Sequence, residues 1–475
     1  MTSKSPNLTM TRREALKMAS VALLPGVLPL RALAAGKRIV VAGGGIGGLC
    51  CGYELMRRGH DVTVLEASNR TGGHVFTFRE GLDDGLYADG GAEHFTNPGY
   101  ERYRGYVEEF KLPFVYYPRR EHILRNIKGK LYTPEMLMDP AVLTGFGLNA
   151  REIAWVKENT FPELASLYYK PYVDAFKDEY KPFDAGLSQL DAMTTTALFK
   201  KDGASPGALE FIGGGGSALQ SVWHAAILKI RGVDNFPKKV YRLVGGNQKL
   251  PDVFAERLGN RVRLESPVTA IEHSPTGVRV TCKTPSGTTT VEGDYLVCAM
   301  SAWMLRQIPV TPAWPDAKNY AIQNVPYYSD SRIIFQSKSK YWEKDQISPN
   351  IEIGDPSLNH AWATGAEVQT SRGLVVGTAS GPGTADRALQ AYRKHYTGKS
   401  EDIEKAHAVV WATDPWRSAC ERTDYAPGDL SKFWPGLIEP QGRVHFVGAY
   451  ADNLNWGQEA ATRSANRVAT AIDAL

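Results

Sequence analysis

The hydrophobic pattern becomes regular at residue 38. Arg38-Ile39-Val40-Val41-Ala42 is an apolar run of strand length that leads straight into Gly43-Gly44-Gly45-Ile46-Gly47-Gly48. Behind the glycines Leu49, Tyr53 and Met56 recur at i, i+4 and i+7, one face of a helix that Gly59 stops. Asp61 to Leu65 then predicts a second strand, ending in Glu66. At the far end Ala461, Ser464, Ala465, Val468, Ile472 and Leu475 fall on one face of a closing helix. Between these ends helical spacing recurs at Tyr100 to Phe110, Ala150 to Lys157 and Ser217 to Ile230, with a hairpin expected near Ile123 to Tyr132. Strand patterns dominate later, at Arg332-Ile333-Ile334-Phe335 and Gly373-Leu374-Val375-Val376. The four glycines 213–216 read as a loop, because no strand precedes them.

Candidate chemistry starts at the first turn. Gly43, Gly45 and Gly48 satisfy G-x-G-x-x-G inside a βαβ unit. Gly43 permits the tight turn, Gly45 lets backbone approach a pyrophosphate, and Gly48 lets the helix pack on the strand. The helix N-terminus then faces the phosphates. Glu66 lies near the spacing at which a carboxylate accepts bonds from ribose hydroxyls. A dinucleotide site is the expectation.

Composition narrows the partners. The 475 residues suggest about three domains or two interleaved ones. With 43% hydrophobic and 22% charged residues, the chain can bury a core without a disulfide scaffold. A net charge of +4 lacks the basic stripe of a nucleic-acid binder, so a small-molecule partner is expected. Cys50, Cys51, Cys282, Cys298 and Cys420 show no C-x-x-C spacing and read as ordinary thiols, with no metal site.

Thr11-Arg12-Arg13-Glu14-Ala15-Leu16-Lys17 resembles the twin-arginine export signal [S/T]-R-R-x-F-L-K, with Ala15 in place of the aromatic. The apolar stretch Met18 to Leu30 is broken by Pro25, Gly26 and Pro29 and is too short to span a membrane. Ala32-Leu33-Ala34 supplies a small-x-small cleavage pattern. Residues 1–35 are therefore expected to be a signal peptide read by the twin-arginine machinery, and the mature protein periplasmic or secreted.

Glu66-Ala67-Ser68-Asn69-Arg70-Thr71-Gly72-Gly73-His74 resembles the E-A-x-x-R-x-G-G-R signature of the flavin-containing amine oxidases, the family of monoamine oxidases and L-amino-acid oxidases, with His74 for the last arginine. Gly245-Gly246-Asn247-Gln248-Lys249-Leu250 and Pro267-Val268-Thr269-Ala270-Ile271 look like two further segments of that family, as does Val444 to Gly448 followed by Trp456-Gly457-Gln458. The resemblance implies an α/β fold. In it a Rossmann-type FAD-binding domain (36–96, 238–315 and 440–475) interleaves with a substrate domain of mixed sheet and helices (97–237 and 316–439). FAD is the implied cofactor, contacted by Gly43, Gly45, Gly48, Glu66, Arg70, Gly73, His74, Gly91, Ala92, Val268, Gly448, Ala449, Trp456, Gly457 and Gln458.

The same resemblance implies a catalytic set that departs from the family. Arg332 stands where a lysine commonly holds a water against flavin N5, and arginine stays charged and cannot act as a base. His94 follows Glu93 where amino-acid oxidases place a carboxylate-gripping arginine, giving a substrate hydrogen-bonder, an acid/base near pH 7, or a structural histidine. Glu421 falls where monoamine oxidases place one cage tyrosine, and Trp456 would supply the opposite aromatic wall for a cation. Cys420 falls where animal monoamine oxidases link the flavin, and Ala449 replaces a frequent glutamate. The leading expectation is oxidation of an amine C–N bond to an imine that hydrolyses, with oxygen or a periplasmic carrier as electron acceptor and a homodimer as assembly. The alternatives are a carotenoid-type desaturase or isomerase, because Ala449-Tyr450-Ala451-Asp452 also resembles that group's closing motif, and a flavin-binding protein without catalysis.

Overall fold

The structure, a computed structural model, describes residues 36–421, 424–454 and 456–475. The expected signal peptide lies outside them. Strand β1 (Arg38–Ala42), helix α1 (Ile46–Arg57) and strand β2 (Asp61–Leu65) form the predicted βαβ unit. They sit in a five-stranded sheet ordered Val262–Arg263, β2, β1, Tyr295–Cys298 and Val444–Phe446. Every pairing in it is parallel, so three stretches far apart in sequence meet side by side.

Parallel strands need cover on both faces. Ile39 and Val41 pack with Leu49 of α1 and with Ala461, Ala465 and Val468 of the closing helix Gly457–Ala474. Val40 and Ala42 point the other way, into a core with Val268, Ile271 and Val280. Those residues belong to an antiparallel layer of Val268–His273, Val278–Thr284 and Gly287–Gly293. The closing helix therefore packs against α1 and brings its N-terminus beside the glycine turn. Its predicted face holds except at Leu475, which is 69% exposed.

A seven-stranded sheet is built on the later part of the chain, ordered Ile403–Val410, Asp330–Ser337, Gly373–Ser380, Leu358–Thr364, Ile351–Asp355, Leu124–Ile127 and Lys130–Tyr132. The last two are the expected hairpin, which joins this sheet through a parallel pairing of Leu124 with Ile351. Along Asp330–Ser337 the alternation decides what faces where. Ile333 and Phe335 bury against the helix Ala385–His395, whereas Ile334 packs with Trp362 and Val376 on the opposite face. Arg332 shares that opposite face, by the period of two.

Candidate active site

A cavity of about 550 Å³ runs from the glycine turn to the sheet face that carries Arg332. Gly43 has φ +117°, and a Cβ there would lie 2.7 Å from the Ala299 carbonyl, so only glycine makes the turn. Gly45 lies on the wall, and an added Cβ would meet only Gly73 Cα at 3.9 Å, so backbone is what the cavity sees. Gly48 is off the wall: its Cβ would fall 2.0 Å from the Gly43 oxygen, which makes it a packing glycine. The buried Glu66 carboxylate accepts from Gly44 N–H at 2.7 Å and from Ser68 N–H and Oγ–H at 3.0 and 2.8 Å, and is thereby fixed at the wall.

Arg70 does not line the cavity. Its guanidinium donates to the Thr71 and Gly73 carbonyls at 3.1 and 3.0 Å and lies 4.7 Å from the Phe76 ring, bracing the turn from behind. His74 does line it, with Nε2 2.9 Å from the Arg417 carbonyl. Burial lowers this imidazole to about 4, so it is neutral and donates that bond. Gly73, Gly91, Ala92, Val268, Gly448, Ala449, Gly457 and Gln458 complete this side. Two helix N-termini, at α1 and at Gly457, meet here, and Gln458 Oε1 is buried without a hydrogen-bond partner among the described residues. A wall of glycine backbone, helix N-termini and one oriented carboxylate fits a dinucleotide. A flavin held there supplies hydride acceptance.

The opposite side is polar. Arg332 lies on the wall with its side chain 11% exposed, donates from Nη2 to the Gly91 carbonyl at 2.7 Å and keeps Nη1 3.6 Å from Glu93. Its Nε and Nη1 have no hydrogen-bond partner among the described residues. Thr378 is its neighbour on the next strand and His360 is Thr378's on the strand after, and both line the cavity with Asp330. Glu93 is buried; burial alone would raise its carboxyl, but the Arg119 and Arg332 guanidiniums outweigh that and hold it far below the usual range. Glu421 lines the wall, and burial pushes its carboxyl up to about 7. Cys420 is a free thiol on the wall, raised to about 12 by burial.

Two expected residues are not brought to the wall. His94 lies behind it, Nδ1 2.8 Å from Arg119 Nη1, and burial lowers it to about 4, with the Arg119 and Arg120 guanidiniums adding to the shift against the pull of Glu93. Its ring is therefore neutral and set against Arg119 rather than in the cavity. Trp456 stacks on Tyr100 with centroids 5.2 Å apart and planes at 20°, so it does not face Glu421 across the cavity. The wall aromatics are instead Trp411, Trp416, Tyr328 and Tyr450, the last with a buried hydroxyl that has no hydrogen-bond partner among the described residues. Asp330 was findable from Arg332 by the period of two. Trp411, Arg417 and Tyr450 carried no comparable signal, because side-chain direction in irregular segments is set by tertiary contacts.

The family model described as flavin containing amine oxidoreductase matches residues 46–473. The L-amino-acid oxidase of Pseudechis australis is 27% identical over 447 residues, covering 88% of this chain and 83% of its own, and that of Protobothrops flavoviridis is 27% identical over 439 residues, covering 87% and 84%. Among solved structures, cyclohexylamine oxidase from Brevibacterium oxydans superposes with a TM-score of 0.75 at 20% identity over 92% of this chain and 99% of its own. A putrescine oxidase bound to putrescine gives 0.75 at 18% over 93% and 99%, likenesses that concern the fold alone. With the family matched over nearly the whole described chain and a dinucleotide cradle to receive its cofactor, the protein belongs to the flavin-containing amine oxidoreductases and is an FAD-dependent amine oxidase.

Proposed function

We propose that the substrate is an amine whose other end carries a carboxylate, held with Arg332 at the anionic end and Glu421 at the amine. One observation carries the reading: a guanidinium nearly nine-tenths buried on the cavity wall, whose Nε and Nη1 find no hydrogen-bond acceptor among the described residues, Glu93 lying 3.6 Å from Nη1. A buried donor left without a hydrogen bond costs about 1–3 kcal/mol, and a carboxylate oxygen satisfies one with a charge-assisted bond. Glu421, poised near 7, accepts a proton from the arriving ammonium and leaves the neutral amine that C–H cleavage requires. The L-amino-acid oxidase relatives support an anionic substrate end. The charged side chains of Arg332, Asp330 and Glu421 on the wall disfavour the desaturase alternative, whose substrate is apolar.

On the cofactor side Gly43, Gly45, Glu66, Gly73, His74, Gly91, Ala92, Val268, Gly448, Ala449, Gly457 and Gln458 contact FAD, while Gly48 and Arg70 shape the turn from outside. In this reading the chain divides into an FAD-binding domain (36–96, 238–315 and 440–475) and a substrate domain (97–237 and 316–439). Residues 1–35 direct export to the periplasm or beyond, where oxygen or a carrier reoxidises the flavin, and the mature enzyme works as a homodimer. The substrate assignment is tested with amines supplied in pairs, with and without a carboxylate. Arg332→Met lowers kcat/KM for the carboxylated member by about tenfold or more and spares the other, from the roughly 1.5–3 kcal/mol of a charge-assisted bond. Equal losses on both members contradict the assignment.

A further inference from the structure

The signature position that holds arginine in the family is His74 here, a neutral ring whose N–H is spent on the Arg417 carbonyl. Arg70 gives its guanidinium to two carbonyls behind the turn. The glycine side of the cavity thus lacks a cation from its own signature segment, although the cofactor's diphosphate brings two negative charges and Glu66 a third. Among the described residues Arg332 and Arg417 are the two arginines on the wall, and no lysine lines it. Arg332 sits on the sheet face beside Thr378, at the substrate end.

Arg417 sits at the other end. Asp414 accepts its Nε and Nη2 at 3.0 and 2.8 Å, which leaves Nη1 3.5 Å from Ser68 Oγ, the hydroxyl bonded to Glu66. The side chain is 13% exposed, and it also borders an adjoining hollow with Ser68 and Trp416. The segment that carries it is pinned at three points. Trp411 Nε1 donates to the Gly90 carbonyl at 2.9 Å, Asp414 accepts the backbone N–H of Trp416 and Arg417, and His74 holds the Arg417 carbonyl.

We propose that Arg417 is the cation that holds the ADP half of FAD in this chain, taking over the charge that His74 removed from the signature. His74 is then a positioning residue: its neutral N–H hangs the 411–417 segment so that Nη1 of Arg417 points at the ribose and diphosphate rather than into solvent. The charge has moved from the dinucleotide-binding segment to a stretch of the sheet-bearing region, so cofactor grip and the packing of that stretch are one event.

The test is binding of FAD to apoprotein, followed by quenching of flavin fluorescence, with ADP as a second probe by calorimetry. Arg417→Gln weakens both ligands by about tenfold or more and flattens the salt dependence of Kd. Replacing His74 as well, His74→Arg in the Arg417→Gln background, recovers most of the loss, which a merely structural role for Arg417 would not allow. Arg417→Lys keeps the charge and stays within about threefold of wild type at low salt, which covers the case of a Gln variant that does not fold. Unchanged binding by folded Arg417→Gln, a loss for FAD without a loss for ADP, or a Lys variant as weak as Gln would each overturn the proposal.

Discussion

A Cβ on Gly45 has 3.9 Å to its nearest neighbour, whereas one on Gly48 has 2.0 Å. Gly45→Val should therefore fold with a melting temperature near wild type and bind no FAD, because the γ-methyls occupy the phosphate path. Gly48→Val should fail to fold, since the clash is with backbone that cannot shift. Thermal unfolding and flavin content of the two purified variants check this, and the reverse pattern would refute the division of labour. Glu421 offers a second residue-scale test. Its carboxyl lies near 7, so kcat/KM for an ammonium substrate should rise through that pH as the side chain ionises. Glu421→Gln should lose that limb of the pH profile, and a limb that survives intact would assign the titration to another group.

At the scale of elements, the N-terminus of the closing helix shows why a resemblance can place a segment and miss a side chain. Gly457 and Gln458 reach the cavity as expected, but Trp456 turns away and stacks on Tyr100. Trp456→Ala should cost about 2–3 kcal/mol of stability, below the roughly 3–5 of a fully buried aromatic, with no change in the selectivity between cationic and neutral amines. Denaturant unfolding and the selectivity ratio on one variant decide it; a changed ratio at unaltered stability would return Trp456 to the cage. The βαβ unit, the hairpin and the closing helix were legible because each is fixed by local period and by glycine placement. The parallel pairing of Ile351 with Leu124 was not, since it joins strands more than two hundred positions apart. The sequence left His94 open between a substrate contact and a structural role for the same reason: its partner, Arg119, lies on a separate segment that sequence spacing does not connect to it.

The whole molecule carries its buried histidines neutral, and that couples stability to acid. Burial holds His74, His94, His224 and His445 at about 4 and His360 at about 3, against a usual 6.5. Between those values the unfolded chain binds more protons than the folded one, so these groups make stability rise with pH and lose it as pH falls from 6.5 toward 4. Buried carboxyls raised to about 7, Glu421 and Asp452 among them, act in the opposite sense above their usual range. Because the two classes oppose, the informative quantity is a difference: His94→Gln should reduce the slope of unfolding free energy against pH by up to about 1.4 kcal/mol per pH unit in that window. An unchanged slope would mean that His94 is protonated in the folded state.

Purified holoenzyme is mixed anaerobically with an amine in large excess, with its carboxylated counterpart in a parallel run, and the oxidised-flavin absorbance is followed with carbonyl product counted at the end. Full bleaching by the carboxylated amine is expected, one carbonyl per flavin, at a rate that Arg332→Met cuts by about tenfold or more. Bleaching by the carboxylate-free amine alone, or an oxidised spectrum that persists with every amine despite full FAD occupancy, would contradict it.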